Sequence, residues 1–188
     1  MVKPNKILIS GTGRCGTTFL IKLFTFMGFD TGFDSTNYQE FIYSNCNAGM
    51  EKHDTEPHLV LKWPRFLDHI PDILEHCTIQ YMIIPIRKYE DSAASRAKHG
   101  DGPGGFRDAT SVDTQITQYH KVIAEYVYYM TKYDIPTIFL DFERMVTDKH
   151  YLYQQLRELF DHYHKSFDTF SQAYDTSSET SKPIICAE

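Results

Sequence analysis

The sequence predicts an α/β protein of three layers, with helices on both faces of a central parallel sheet of about four to five strands. Two observations carry that expectation. Short, continuously apolar runs alternate with longer stretches of helical periodicity. A strand that is apolar at every position needs cover on both of its faces. A glycine-rich segment, "GTGRCGTT", also separates the first apolar run from the first helical stretch. That is the order in which an anion-binding turn is built. At 188 residues the chain fits one domain, 1–188, with one sizeable core.

Each element follows from its local pattern. "KILISG" stops at a glycine and reads as the first buried strand. In "TTFLIKLFTFMG", Phe19, Leu20, Leu23, Phe24 and Met27 share a helical face, and Gly28 closes the helix. Residues 32–56 are polar and weakly periodic, so they form an irregular insert. "HLVLKWP" is a second strand ended by Pro64, and "RFLDHIPDILEHC" is a helix with Pro71 near a start or a break. "IQYMIIPIR" is the third strand. "YEDSAASRAKHG" is a helix with carboxylates in its first turn and Lys98 and His99 in its last, as the helix dipole favours. The run 100–105, "GDGPGG", is the most flexible stretch. Ser111 caps a long helix over 111–133, "PTIFLDFE" is the fourth strand, and Thr147 or Asp148 caps the next helix. The Ser/Thr-rich tail, 171–188, is expected to lack order before "KPIICAE".

Composition excludes some classes of function. The net charge of −6 argues against a broad nucleic-acid surface but not against a locally positive pocket. The apolar runs are too short to cross a bilayer, and the N-terminus has no signal-peptide pattern. Cys15, Cys46, Cys77 and Cys186 are scattered without metal-site or disulfide spacing. A cytoplasmic protein with reduced thiols and no bound metal is the expectation.

Three constellations fall just after strands, where ligands bind in such sheets. In the first, Gly11 and Gly16 keep the spacing of a nucleotide triphosphatase loop, but Thr17 stands where that loop needs lysine. The only cation in the loop is Arg14. The amides of Gly16, Thr17 and Thr18 face an anion from the helix N-terminus. In the second, "KWPR" places Lys62 and Arg65 around a strand end; alone it also fits a solvated surface. In the third, Arg87 ends a strand and Ser95 follows on the next helix. The two can grip a phosphate from two sides, or simply belong to a capped surface helix.

Together these residues resemble the sulfotransferase superfamily, whose donor is 3′-phosphoadenosine 5′-phosphosulfate (PAPS). The match runs through Gly13, Arg14, Cys15, Gly16, Thr17, Thr18 and Phe19, the Arg87/Ser95 pair, and Lys62, Pro64 and Arg65. A weaker match lies in "LDFERMVTD". The resemblance implies a P-loop NTPase-like version of the fold. It also implies a sulfuryl transfer from PAPS to a hydroxyl or amine of a small molecule or glycan, without metal. Arg14 and Lys62 would act on the moving group and leaving phosphate. The loop, with Cys15, would hold the 5′-phosphate, and Arg87 and Ser95 the 3′-phosphate. Pro64 stands where a common branch has its catalytic histidine, so the base is open among Glu40, Glu51, His53, Glu56 and His58. Cys15 replaces the usual serine and is either an oxidisable thiol at a helix N-terminus or a small loop residue. Residues 100–105 with Arg107 form either a lid or a plain surface loop. Two rival readings are a small-molecule or nucleotide kinase with Asp141 ending a metal-binding strand, and a non-catalytic nucleotide binder.

Overall fold

The computed structural model describes residues 2–181. Strands β1 (Asn5–Ile9), β2 (Val60–Lys62), β3 (Thr78–Ile86) and β4 (Thr137–Asp141) form one parallel sheet in the order β2-β1-β3-β4. The helices are α1 (Thr17–Phe26), α2 (Ile70–His76), α3 (Tyr89–Ala97), α4 (Val112–Lys132), α5 (Phe142–Thr147), α6 (Lys149–His162) and α7 (Phe167–Ser181).

The continuous apolar runs are explained by two cores. Ile7 and Ile9 join Val60, Ile83 and Leu140 in a core closed by α1, α6 and α7. Leu8 joins Leu61, Met82 and Ile84 in a second core closed by α2 and α4. Successive strand residues point to opposite faces, so each apolar residue has a core to enter. The result is the three-layer α/β/α arrangement the sequence predicts.

Helix α1 is buried along nearly its whole length because the sheet, α7 and the insert surround it. Its end is closed by paired bonds from Gly28 N to Thr25 O (3.0 Å) and Phe29 N to Phe24 O (3.0 Å). Gly28 takes φ 73°, which lets the chain reverse there. Ser111 caps α4 with a reciprocal bond pair involving Thr114, and Asp148 caps α6. The 32–56 insert is irregular apart from a short 3-10 turn, Tyr38–Phe41.

Three sequence expectations need correction. The stretch 65–77 is not one helix: a 3-10 turn, Phe66–His69, precedes α2, with Pro71 in its first turn. The fourth strand stops at Asp141, whose carboxylate accepts from Arg144 N (2.8 Å) and starts the short helix α5. The tail is ordered as α7 up to Ser181. Hydroxyl-rich segments have poor helix propensity, but Phe170, Ala173, Tyr174 and Ser177 share one buried face against α1. The hydroxyls of Thr176, Ser177 and Thr180 bond back to carbonyls one turn earlier, so they stay satisfied. Packing thus overrides propensity. Residues 182–188, which include the expected "KPIICAE" end, lie outside the described residues.

Phe170 is fully buried on α7, where its ring packs on Tyr153 and Phe160 of α6. Phe170→Ala should destabilise the protein by about 3–5 kcal/mol in urea unfolding. A loss below about 1 kcal/mol would show that α7 contributes no docking energy.

Candidate functional site

The strand order creates the site. From β1 the chain crosses to β2 on one side, and from β3 to β4 on the other. The carboxyl ends of β1 and β3 therefore sit beside a crevice, as at the switch points of open α/β sheets. The 11–16 loop fills its floor. Ser10 N donates to Ile83 O (3.1 Å), and the Ser10 hydroxyl donates to Trp63 O (2.8 Å) and meets the buried Tyr126 hydroxyl. The root of the loop is thus tied to β3, β2 and α4.

Gly13, Arg14 and Gly16 all take left-handed backbone, at φ 82°, 56° and 90°. For Arg14 this conformation costs on the order of 1 kcal/mol. Two arginines hold the loop there. Arg96 Nη2 donates to Thr12 O (3.0 Å), and Arg87 Nη1 donates to Arg14 O (3.1 Å). A Cβ on residue 16 would stand 2.6 Å from Met145 and 2.9 Å from Phe142, so only glycine fits beneath α5. Helix α1 then starts at Thr17 with no side-chain cap and no acidic residue in its first turn. Its positive end is therefore not neutralised from within the helix.

Above the loop lies a cleft of about 710 Å³. Gly13, Arg14, Gly16, Thr17 and Thr18 line its base. Lys62 and Pro64 flank it from β2, Arg87 from β3, and Phe142 and Val146 from α5. Tyr43, Asn47 and Glu51 reach it from the insert, and Pro103, Gly104 and Arg107 from the segment after α3. Because β1 lies between β2 and β3, Lys62 and Arg87 stand on opposite flanks of the loop.

The cations differ in their partners. Among the described residues, Arg14, Arg87 and Arg96 have no carboxylate partner. Arg14 Nε donates to Ser95 Oγ (3.0 Å), and the Arg87 guanidinium lies 4.6 Å from the centre of the Phe142 ring. Lys62 and Arg107 do pair with carboxylates. Lys62 is 3% exposed, and its Nζ meets Gly49 O (2.9 Å) and Glu51 Oε1 (3.1 Å). Burial pulls its pKa below the usual lysine range, and the Glu51 carboxylate opposes that shift. Arg107 pairs with Asp68 and Asp108.

The sequence-predicted residues divide accordingly. Gly13, Arg14, Gly16, Thr17, Thr18, Lys62 and Arg87 come together in the cleft. Ser95 is half-buried and does not line it; its hydroxyl is engaged by Arg14. The Cys15 side chain is fully buried and turned away from the cleft, toward Gly11. Burial pushes its thiol pKa up, against the lowering bonds from Gly13 and Thr12. Of its two readings, the small loop residue stands and the activated thiol does not. Arg65 pairs with Asp68 outside the main cleft.

Of the five base candidates, Glu51 alone lines the cleft. His53 packs on Trp63 (4.3 Å between ring centres), Glu56 pairs with Lys52 (3.6 Å), and His58 pairs with Asp30 (2.7 Å). Glu40 is exposed in the 3-10 turn. Sequence reasoning missed Arg96 and Phe142. Arg96 carried a signal: Ser92 and Ala93, four and three residues before it on α3, are small and neither is a carboxylate that could pair with it.

Compared with known proteins, the chain matches no protein-family model and no curated protein. Among the described residues, no helix is long and apolar enough to cross a membrane, and no group of three or more His, Cys, Asp or Glu side chains could hold a metal ion.

The Lys62–Glu51 pair can be tested without any ligand. Glu51→Gln leaves a buried ammonium with neutral acceptors only, the Gly49 carbonyl and the amide oxygen of the new side chain. The partly exposed position of Glu51 tempers the loss to about 1–2 kcal/mol at neutral pH. That is a midpoint roughly 2–8 °C lower. The deficit should shrink as pH rises. Lys62 has a depressed pKa in the folded state, so the folded protein releases this proton before the unfolded chain does and gains stability with increasing pH. Losing Glu51 lowers that pKa further, so the variant gains earlier. A deficit that is constant across alkaline pH would show that the pair is not ionic.

Proposed function

We propose that the cleft binds PAPS and transfers its sulfuryl group to a hydroxyl or amine acceptor. The observation that supports this best is the set of guanidiniums without carboxylate partners, Arg14, Arg87 and Arg96, around the unneutralised start of α1. Such an arrangement suits a ligand with several separated anionic groups. Thr17 in the place of a lysine disfavours a triphosphate bound through magnesium. The kinase reading also needs a metal-binding Asp141, but that residue caps α5, is exposed and does not line the cleft.

PAPS supplies a sulfuryl group whose bond to the 5′-phosphate oxygen breaks as a new sulfur–oxygen or sulfur–nitrogen bond forms. The first amides of α1 and the hydroxyls of Thr17 and Thr18 hold the 5′-phosphate. Arg87, with Ser95 reached through Arg14, reads the 3′-phosphate. Arg14 lies between these groups and offsets charge that grows on the leaving phosphate, typically the largest contribution of such a site. On the other flank, Glu51 takes the acceptor proton and Lys62 keeps the carboxylate oriented. A base in this position contributes about 10²–10⁴-fold. The acceptor enters from the side of Tyr43, Asn47 and Pro103.

A thermal melt tests this reading. Adenosine 3′,5′-bisphosphate, the product, should raise the midpoint by about 5–10 °C at 100 times its dissociation constant without metal. Mg-ATP should do little. A magnesium-dependent shift with ATP and none with the bisphosphate would overturn the proposal in favour of a kinase.

Arg87→Ala should weaken the bisphosphate by roughly 10–100-fold, the loss of one charge-assisted bond. Adenosine 5′-phosphate should lose several-fold less than the bisphosphate, because it loses only the Arg87 grip on the Arg14 carbonyl. Equal losses for both nucleotides, measured by calorimetry, would remove the 3′-phosphate from the role of Arg87.

A further inference from the structure

Arg96 is the buried charge of α3, at 7% exposure, and its donors reach three separate elements. Nε donates to the Tyr119 hydroxyl on α4 (2.9 Å), Nη2 to Thr12 O in the 11–16 loop (3.0 Å), and Nη1 to Gly105 O after α3. All three acceptors are neutral. The guanidinium occupies the space that a side chain at position 13 would need, so Gly13 is required by Arg96 as well as by its φ of 82°. Arg96 also lines the cleft, as do Gly13 and Gly104 from the two loops it joins.

A buried cation whose partners are all neutral lacks a counter-charge. An anion in the cleft would supply it. We propose that Arg96 is a positioning residue that couples the 11–16 loop to the 100–105 loop, so that an anion bound on the first draws the second closed over it. The 100–105 segment is built to follow. Glycine occupies positions 100, 102, 104 and 105, and its own bonds are short-range turns, Gly105 N to Gly102 O (2.9 Å) and Phe106 N to Gly100 O (2.9 Å). Its tether to the rest of the site is the Arg96–Gly105 bond, with Pro103 and Gly104 then lying over Arg14. The coupling between loops is a property of the chain alone; the nucleotide arm of the test rests on the sulfuryl-transfer reading.

Hydrogen exchange on the intact protein separates the two. Without nucleotide, Arg96→Ala should speed exchange of the 12–16 and 104–106 amides together by about ten-fold or more, the loss of one charge-assisted bond at each loop. The amides of β1 and β3 should hold. Adenosine 3′,5′-bisphosphate should protect both loops in the wild type but only 12–16 in the variant. If Arg96→Ala fails to fold, Tyr119→Phe, which removes one acceptor and keeps the charge, should move both loops in the same direction by less. Arg96→Lys keeps the charge but cannot span three acceptors, so it should recover part of the nucleotide affinity and none of the loop coupling. Unchanged exchange in the 104–106 amides, or an equal rise at every amide, overturns the proposal and leaves Arg96 a purely structural group. If the bisphosphate binds neither protein, the sulfuryl-transfer reading fails. The exchange without nucleotide then still decides the role of Arg96, with inorganic pyrophosphate as the anion.

Discussion

Two guanidiniums hold the backbone of a single turn, and the geometry of the cleft depends on that grip. Arg96 takes the carbonyl of Thr12 and Arg87 takes the carbonyl of Arg14, from helix α3 and strand β3 respectively. A carbonyl oxygen carries partial negative charge and would repel an anion. Covered by a guanidinium, it no longer does. In a trans peptide the N–H points opposite to the C=O, so fixing these carbonyls also fixes the amides of Gly13 and Cys15. The left-handed φ of Arg14 is sustained by the same contacts, because its side chain is fixed by Ser95 and its carbonyl by Arg87. A loop held this way is preorganised, and preorganised dipoles need little rearrangement when charge arrives.

What could be read from the sequence follows from the range of the interactions. The strand, loop and helix at the N-terminus were legible because glycine spacing and apolar periodicity are local signals. Arg14, Thr17, Thr18, Lys62 and Arg87 were legible because each belongs to the loop, helix start or strand end that follows a strand run. Glu51 could not be told from its four rivals in the insert. It reaches Lys62 because Met50 N donates to Phe41 O (2.8 Å) and Lys52 N donates to Lys62 O (3.0 Å), which pins the insert to the end of β2. Those bonds join residues nine and ten apart, across a segment without periodicity. Ser95 was placed on the right helix, but its bond to Arg14 rather than into the cleft depends on how α3 is rotated against the loop.

The tail and Cys15 show the same competition resolved by burial. Propensity argues against a helix in "FDTFSQAYDTSSETS", yet α1 offers an apolar face with no other cover, and α7 takes it. Lys22 on α1 reaches Thr180 O (3.0 Å) and Asn47 of the insert reaches Ser181 O (3.3 Å), so carbonyls at the end of α7 receive donors from two elements. At Cys15 the helix N-terminus would lower the thiol pKa and burial raises it. Burial dominates because the side chain is wholly enclosed, with Gly11 beside it.

An acidic chain that gathers arginines around one cleft involves no contradiction. The net charge of −6 is spread over a surface whose cations are partly spent in ion pairs, such as Lys149 with Asp175 and Arg157 with Asp161. Screening over about 8 Å at physiological salt keeps those distant carboxylates from cancelling charge inside the crevice. Within the cleft the distribution is uneven. On the β2 flank Lys62 is balanced by Glu51 and Arg107 by Asp68 and Asp108. On the β3 flank Arg87 and, over the loop, Arg14 and Arg96 have no such balance among the described residues. The cleft is therefore polarised, with positive charge concentrated at the loop and a near-neutral wall of paired charges opposite. That division suits an anionic group held at one end while an uncharged nucleophile approaches from the other. It arises from the strand order, because β1 carries the loop between the two flanks.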